Sequence, residues 1–315
     1  MNALKTPRIA VIGSNMVDLV TYVTRMPVRG ETIEAPSFEM GHGGKGANQA
    51  IAAAKLGAQV VMVTCVGDDT FADGTIANLA SHGVDTTYVR RVAGKSSGVA
   101  PIMVEPSGEN CILIVKGANS DLSPADIERA GEALKTCDLI LLQLEVPMET
   151  VYAAIAFGKR HGIRTVLNPA PAAPGLDIEK VRDVSFFMPN ETELALLTAL
   201  PVETDAEIAA AARQLLDRGV GAIVVTLGGR GAMLVTPKGV KLIAPASVTP
   251  VDTTGAGDAF VGSFAVFHAS GMELEAALDR AALYAADSVT RRGTQKAYAT
   301  LAEFEPFERK SGAAR

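Results

Sequence analysis

The chain has 315 residues, 48% hydrophobic and 20% charged, with a net charge of −6. This is globular material, enough for one large domain or two modest ones, and the composition excludes a disordered chain. The acidic balance, without a basic block, argues against nucleic acid as the main partner, yet glycine turns and helix ends still allow an anionic substrate.

In chain order, short β-rich runs alternate with longer helical ones. "RIAVIG" (8–13) reads as a buried strand and "GANQAIAAAKLG" (46–57) as a helix stopped by glycine. "QVVMVTCVG" (59–67) is the next strand. In "DLSPADIERAGEALKTC", Ser123 is the expected N-cap, Pro124 the first helical residue and Asp126 the third. "DLILLQL" (138–144) lacks alternation, as expected of a strand buried on both faces. A helix over 147–161, strands over 164–168 and 185–189, helices over 191–199 and 205–218, and a strand over 221–228 follow. The alternation predicts an α/β fold: a mostly parallel central sheet with helices on both faces. Residues 17–41 and 96–116 carry strand-like pieces without helices between them, and are expected to form a small antiparallel sheet. There is no linker or repeat, so residues 1–315 read as one domain, with a frayed tail at 310–315.

The longest apolar candidate for a membrane span, 51–67, is broken by Lys55 and Gln59, and the apolar run after Arg8 is too short for a signal peptide. Cys65, Cys111 and Cys137 lie far apart without a CxxC, and read as reduced, buried cysteines of a cytoplasmic protein.

Ligands of open parallel sheets bind beyond the carboxyl ends of the strands. Stretches expected there are "GSNMVD" (13–18), "QLE" (143–145), "TLGGRG" (226–231) and "DTTGAGD" (252–258), with "GHGGKGAN" (41–48) opening a helix. "GKSS" (94–97) is not a Walker A loop, because Val89 stands where that motif needs glycine. "GAGDAF" is not a dinucleotide fingerprint, because Phe260 replaces its third glycine. Gly255, Ala256 and Gly257 instead bring backbone amides to a helix N-terminus, an anion hole suited to a transferring phosphoryl group. Asp258 beside it has the place of a base that takes a hydroxyl proton, or of a plain first-turn carboxylate.

"GGKGANQA" (43–50), "NPAP" (168–171), "PNETE" (189–193), "TLGGRG" and "DTTGAGDAF" together resemble the ribokinase family of sugar kinases, over nearly the whole chain. The resemblance implies an ATP-dependent kinase in which Asp258 activates the 5-hydroxyl of a pentose beside the 255–258 anion hole. It places Asp18, Gly44, Lys45, Asn48 and Glu145 around the sugar. It places Asn190 and Glu193 near the ATP phosphates and Mg²⁺, and Thr226, Gly228, Gly229 and Gly231 under the nucleotide, with Gly257 also serving it. A monovalent cation such as K⁺ is expected at Asp252, Thr254, Ser288, Arg291, Gly293 and Ala297. The small sheet matches the family's lid and implies a homodimer through it.

Each residue also has a plainer use. Asp18 and Asn48 suit turns, Glu145 suits a polar cap, and Glu191 and Glu193 suit a helical first turn without any metal. His42 is expected to be a loop histidine. Met16 stands where many family members carry asparagine; an amide hydrogen-bonds a sugar hydroxyl and a thioether hardly does, which favours 2-deoxy-D-ribose, with D-ribose as the alternative. Ala282 replaces a residue that is often polar near the adenine. The rivals are another sugar or nucleoside kinase of the family and a catalytically dead sugar-binding regulator; Asp258 and both glycines count against the latter.

Overall fold

The computed structural model describes residues 5–312. Its elements are, in order, β1 (Arg8–Ile12), β2 (Met16–Tyr22), β3 (Ser37–Gly43), α1 (Lys45–Lys55), β4 (Gln59–Val66), α2 (Thr70–Ser81), β5 (Val84–Arg91), β6 (Val99–Val104) and β7 (Asn110–Ile112). Then come α3 (Pro124–Leu134), β8 (Leu139–Leu142), α4 (Met148–His161), β9 (Arg164–Leu167), α5 (Ile178–Val181), β10 (Phe186–Phe187), α6 (Glu191–Thr198) and α7 (Asp205–Asp217). The chain continues through β11 (Ala222–Thr226), β12 (Ala232–Thr236), β13 (Gly239–Ile243), α8 (Ala256–Ala269), α9 (Leu274–Ser288) and α10 (Leu301–Gly312).

The large sheet runs β13-β12-β11-β10-β9-β8-β1-β4-β5. It is parallel from β5 to β11 and turns antiparallel at β12 and β13. Successive side chains of a strand point to opposite faces, and both faces here are buried. Ile9, Val11, Leu139 and Leu141 pack on one side with residues of α1, α8 and α9. Ala10, Ile12, Ile140 and Leu142 pack on the other with residues of α3, α4 and α7. That explains the lack of alternation in "LILL": neither face meets water. Ser123 and Asp126 form the expected capping box of α3.

The small sheet has the order β3-β2-β6-β7. The β2–β3 and β6–β7 pairs are antiparallel, and the seam joining them, β2 to β6, is parallel. His42 lies within β3, not in a loop, because the strand continues to Gly43 opposite Met16. Cys65 and Cys137 are buried, but Cys111 is exposed on the short edge strand β7. Lys310 to Gly312 belong to α10 rather than to a frayed tail, while residues 313–315 lie outside the described residues. Among the described residues no helix is long and apolar enough to cross a membrane.

Two contacts position the site. The first residues after β1, β8 and β9 all lie at the carboxyl edge of the parallel sheet, against the start of α1. Helix α8 also packs closely along α1: a Cβ on Gly262 would sit 2.7 Å from the Gln49 carbonyl oxygen and 3.0 Å from Ala52 Cβ. This close approach brings Asp258, one turn earlier on α8, against Asn48 and Gln49.

Candidate active site

Helix α8 starts at Gly255, whose φ of 76° places it in the left-handed region that glycine enters without strain. A Cβ there would also lie 2.3 Å from Thr294 Cγ2 and 2.7 Å from the Tyr298 hydroxyl, which itself donates to the Gly255 carbonyl at 2.9 Å. The Ala256 amide bonds the Thr253 carbonyl, and the Ala259 amide bonds that of Gly255. The Gly257 and Asp258 amides between them reach no acceptor among the described residues. They border a cleft of about 210 Å³ lined by Lys45, Asn190, Glu193, Thr226, Thr253, Ala256 and Asp258, among others. Unpaired amides at the positive end of a helix dipole suit an anion with charge developing on it.

Asp258 is 7% exposed. Its Oδ2 accepts from Asn48 Nδ2 at 2.9 Å and its Oδ1 from Gln49 Nε2 at 3.0 Å. Burial holds its carboxyl above the usual aspartate range, against the opposing pull of Lys45, Asn48 and Gln49. A carboxylate so placed is a stronger base than one in water. Lys45 is held above its ordinary range: burial opposes its charge, and the carboxylates of Asp258, Glu145 and Glu193 together outweigh burial.

The start of α1, beside Lys45, abuts β2 of the small sheet: a Cβ on Gly44 would fall 2.7 Å from the Met16 amide nitrogen. Asp18 on β2 stands over β3, where a Cβ on Gly43 would fall 2.4 Å from Asp18 Oδ2. No donor among the described residues bonds its carboxylate, whose pKa is pushed up to about 6 by burial and by the charge of Glu145. An accessible acceptor without a protein donor is suited to ligand hydroxyls. Gly44 (φ 88°) opens α1, and Glu145 Oε2 accepts from the Lys45 amide at 3.0 Å and from the Ser14 hydroxyl. Met16 is on the same face of β2 as Asp18, buried, with its sulfur 3.8 Å from Asn119 Nδ2.

Across the cleft, Asn190 and Glu193 cap α6 reciprocally: Glu193 Oε2 accepts from the Asn190 amide and Asn190 Oδ1 from the Glu193 amide, both at 2.8 Å. Glu193 is buried in the cleft wall and its carboxyl is raised by that burial. Thr226 reaches the cleft, whereas Gly228 and Gly229 form an exposed turn and Gly231 packs against the end of β13. Asp252 joins two loops by accepting from the Thr254 and Gly293 amides, each at 2.9 Å. The Thr254, Arg291 and Gly293 carbonyls take no donor among the described residues, but the Ser288 carbonyl accepts the Arg291 amide and the Ala297 carbonyl accepts the Arg291 guanidinium.

A model of the pfkB family of carbohydrate kinases matches residues 6–301. The chain belongs to this family. It is 56% identical over 299 residues to a deoxyribokinase of Salmonella typhi, covering 95% of this chain and 98% of that one. It is 39% identical to a ribokinase of Schizosaccharomyces pombe, with 94% and 96% of the two chains covered. Its structure is similar to that of an Arabidopsis thaliana ribokinase complexed with ribose and ATP, with a TM-score of 0.90 at 31% identity and coverage of 96% and 99%. This pfkB-family protein is thus a sugar kinase with the ribokinase-like α/β fold.

Of the residues singled out from the kinase's sequence, Lys45, Asn48, Asn190, Glu193, Thr226, Gly255, Ala256, Gly257 and Asp258 gather in or directly on one cleft. Ala282 lies buried in α9. Sequence reasoning missed Thr253, Asn168, Gln49, Gln143 and Gln295. Gln49, Gln143, Asn168 and Thr253 stood inside quoted motifs without a role of their own, because nothing in a sequence tells a buried polar side chain from an exposed one.

Proposed function

We propose that this kinase transfers the γ-phosphoryl group of ATP to the 5-hydroxyl of 2-deoxy-D-ribose. The observation that carries the reaction type is a buried, amide-held carboxylate, Asp258, beside the open N-terminus of α8. The hydroxyl oxygen attacks the γ-phosphorus, its proton passes to Asp258, the bond to the β-phosphate oxygen breaks, and ADP leaves. The Gly257 and Asp258 amides stabilise the charge on the transferred group. Lys45, between the carboxylates of Asp258, Glu145 and Glu193, adds a positive charge at the same point. Asp18 and Asn48 hold the sugar hydroxyls.

Glu193 and Asn190 fit a hydrated Mg²⁺ on the nucleotide, since a buried carboxylate borders the cleft without a cationic hydrogen-bond partner; the ion would supply charge neutralisation on the phosphates. Asp252 with the free carbonyls of Thr254, Arg291 and Gly293 fits K⁺, and rates in a buffer free of alkali cations, with and without K⁺, check it. The Ser288 and Ala297 carbonyls already accept donors from Arg291, so they support this ion less than the other three. The exposed Tyr22, Phe38, Met40 and Ile112 of the small sheet support a homodimer through this lid, and a monomer in sedimentation at micromolar concentration would remove it. We assign the chain to one domain, working in the cytoplasm, where ATP and its free cysteines fit.

The choice of sugar rests on the deoxyribokinase relative and on Met16. A 2-hydroxyl near Met16 would meet sulfur already shared with Asn119, and an unpaired buried hydroxyl costs about 1–3 kcal/mol, roughly one to two decades. Wild-type kcat/KM is expected to be higher for 2-deoxyribose than for ribose, and Met16→Asn to shift it toward ribose. A wild-type preference for ribose would leave 5-hydroxyl phosphorylation intact and overturn the deoxyribose assignment.

A further inference from the structure

Asp258 is held by two amides, and one of them belongs to a buried chain whose direction is set by charge. Gln49 and Gln143 are both fully buried. Gln143 Nε2 donates to Gln49 Oε1 at 2.6 Å, so the Gln49 amide turns its nitrogen the other way. That nitrogen is 3.0 Å from Asp258 Oδ1 and 3.3 Å from Asn168 Oδ1. Asn168 is held in turn by donating to the Met188 carbonyl at 2.9 Å. Reversing Gln49 would set its oxygen against a carboxylate oxygen; reversing Gln143 would set two amide oxygens together. With Asp258 ionised, only the observed polarity places a donor at each contact.

This polarity leaves Gln143 Oε1 buried without a hydrogen-bond partner among the described residues. It lies against Gly13, where a Cβ would come within 2.0 Å of it. Buried amide oxygens are rarely left unpaired, since the lost hydration is not regained. The arrangement makes sense if the task of Gln143 is to present its NH₂ to Gln49.

We propose that Gln49, locked by Gln143, is a positioning residue that fixes the plane of the Asp258 carboxylate and keeps it ionised for proton transfer. The inference rests on Asp258 being the base. The other ionisable groups around Asp258 are Lys45 on α1, Glu145 after β8, Glu193 on α6 and Tyr298 near the N-terminus of α8. Of these only Lys45 favours its charge; the donors Asn48 and Gln49 and the N-terminal dipole of α8 add to it. Losing the Gln49 donor therefore raises the Asp258 pKa and frees the carboxylate to rotate.

The test compares Gln49→Met, Gln143→Met and the double variant, which keep volume and remove the amides. Gln49→Met is expected to lower kcat about 10- to 100-fold, the range for losing a hydrogen bond to a charged group, while sugar KM stays within about twofold. The acid limb of its kcat/KM profile should move up by about one pH unit. Gln143→Met should shift both readings less and in the same direction, and should add nothing in the Gln49→Met background, because it acts only through Gln49. Asp18 titrates in the same site but is common to all the variants. A carboxyl ¹³C titration of Asp258 without substrates reads the clamp independently of turnover. An unmoved Asp258 titration and acid limb in Gln49→Met would overturn the proposal even if its melting temperature drops, since that is what a purely structural glutamine gives. If Gln49→Met does not fold, Gln143→Met decides by the same readings. An active Asp258→Asn enzyme would instead refute the base assignment, a result distinct from failure of the clamp.

Discussion

Helices α1 and α8 begin alike and end up with opposite uses. Each starts at a glycine of positive φ, Gly44 at 88° and Gly255 at 76°, and neither has a side-chain cap at that residue. At α1 the protein fills the helix end itself. The Lys45 amide bonds Glu145, the Gly46 amide bonds the Ser14 hydroxyl, and the Ala47 and Asn48 amides bond the Ser14 and Gly44 carbonyls. At α8 the two middle amides, of Gly257 and Asp258, are left to the cleft. A helix N-terminus attracts an anion in either case. Whether that anion is a resident carboxylate or, in the proposed reaction, a passing phosphoryl group separates scaffold from catalyst.

The sharpest way to break this comparison is Asp258→Asn, which keeps the shape of the α8 start and removes the proposed base. It should lower kcat about 10²- to 10⁴-fold with the fold and sugar binding retained, as seen by melting and by sugar titration. A variant with more than half the wild-type kcat would end the assignment.

At α1 the corresponding change is Glu145→Ala. It strands the Lys45 amide and the Ser14 hydroxyl in a buried site, and should lower stability by about 1–3 kcal/mol, read as a drop in the melting temperature of the substrate-free protein. An unchanged melting temperature would mean that the carboxylate is not what completes α1.

The smallest effect concerns the charge that the filled end imposes on its neighbour. Asp18 has a pKa pushed up to about 6 by burial and by Glu145. With the charged form as the proposed acceptor of the sugar hydroxyls, sugar KM should rise as pH falls through about 6, by up to about tenfold per pH unit below it. Glu145→Gln should move this limb to lower pH, because one of the two influences raising Asp18 is gone. A limb unmoved in Glu145→Gln would show that burial alone raises Asp18. For stability the sign is opposite: the raised folded pKa means that ionised Asp18 opposes folding above about 6, and this penalty is relieved as pH falls toward its unfolded value.

Much of the protein was legible one residue at a time. The β8 run "LILL", free of alternation, predicted a strand covered on both faces, because a strand has only two faces and neither shows a polar residue. Ser123, Pro124 and Asp126 predicted the start of α3, because a cap satisfies amides within three residues of itself. The glycines of "GAGD" predicted the glycine-led start of α8 for the same local reason, and its open amides support the proposed anion hole. The resemblance to a sugar kinase family then supplied roles that no local rule contains.

What only the tertiary structure decided are the relations between residues far apart in sequence. The parallel β2–β6 seam in the small sheet could not be read from its strands, which pair through backbone groups common to every residue. Asn190 and Glu193 read as nucleotide residues, and in the fold they are also each other's cap. Glu145 becomes the plug of α1 because β8 ends beneath that helix, 100 residues after Lys45. Gln49 meets Asp258 across 209 residues only because Gly262 lets α8 lie close on α1. A sequence determines which groups are able to donate, accept or turn, since those are properties of single residues. Which donor meets which acceptor, and which helix end is left open, follows from how distant segments pack.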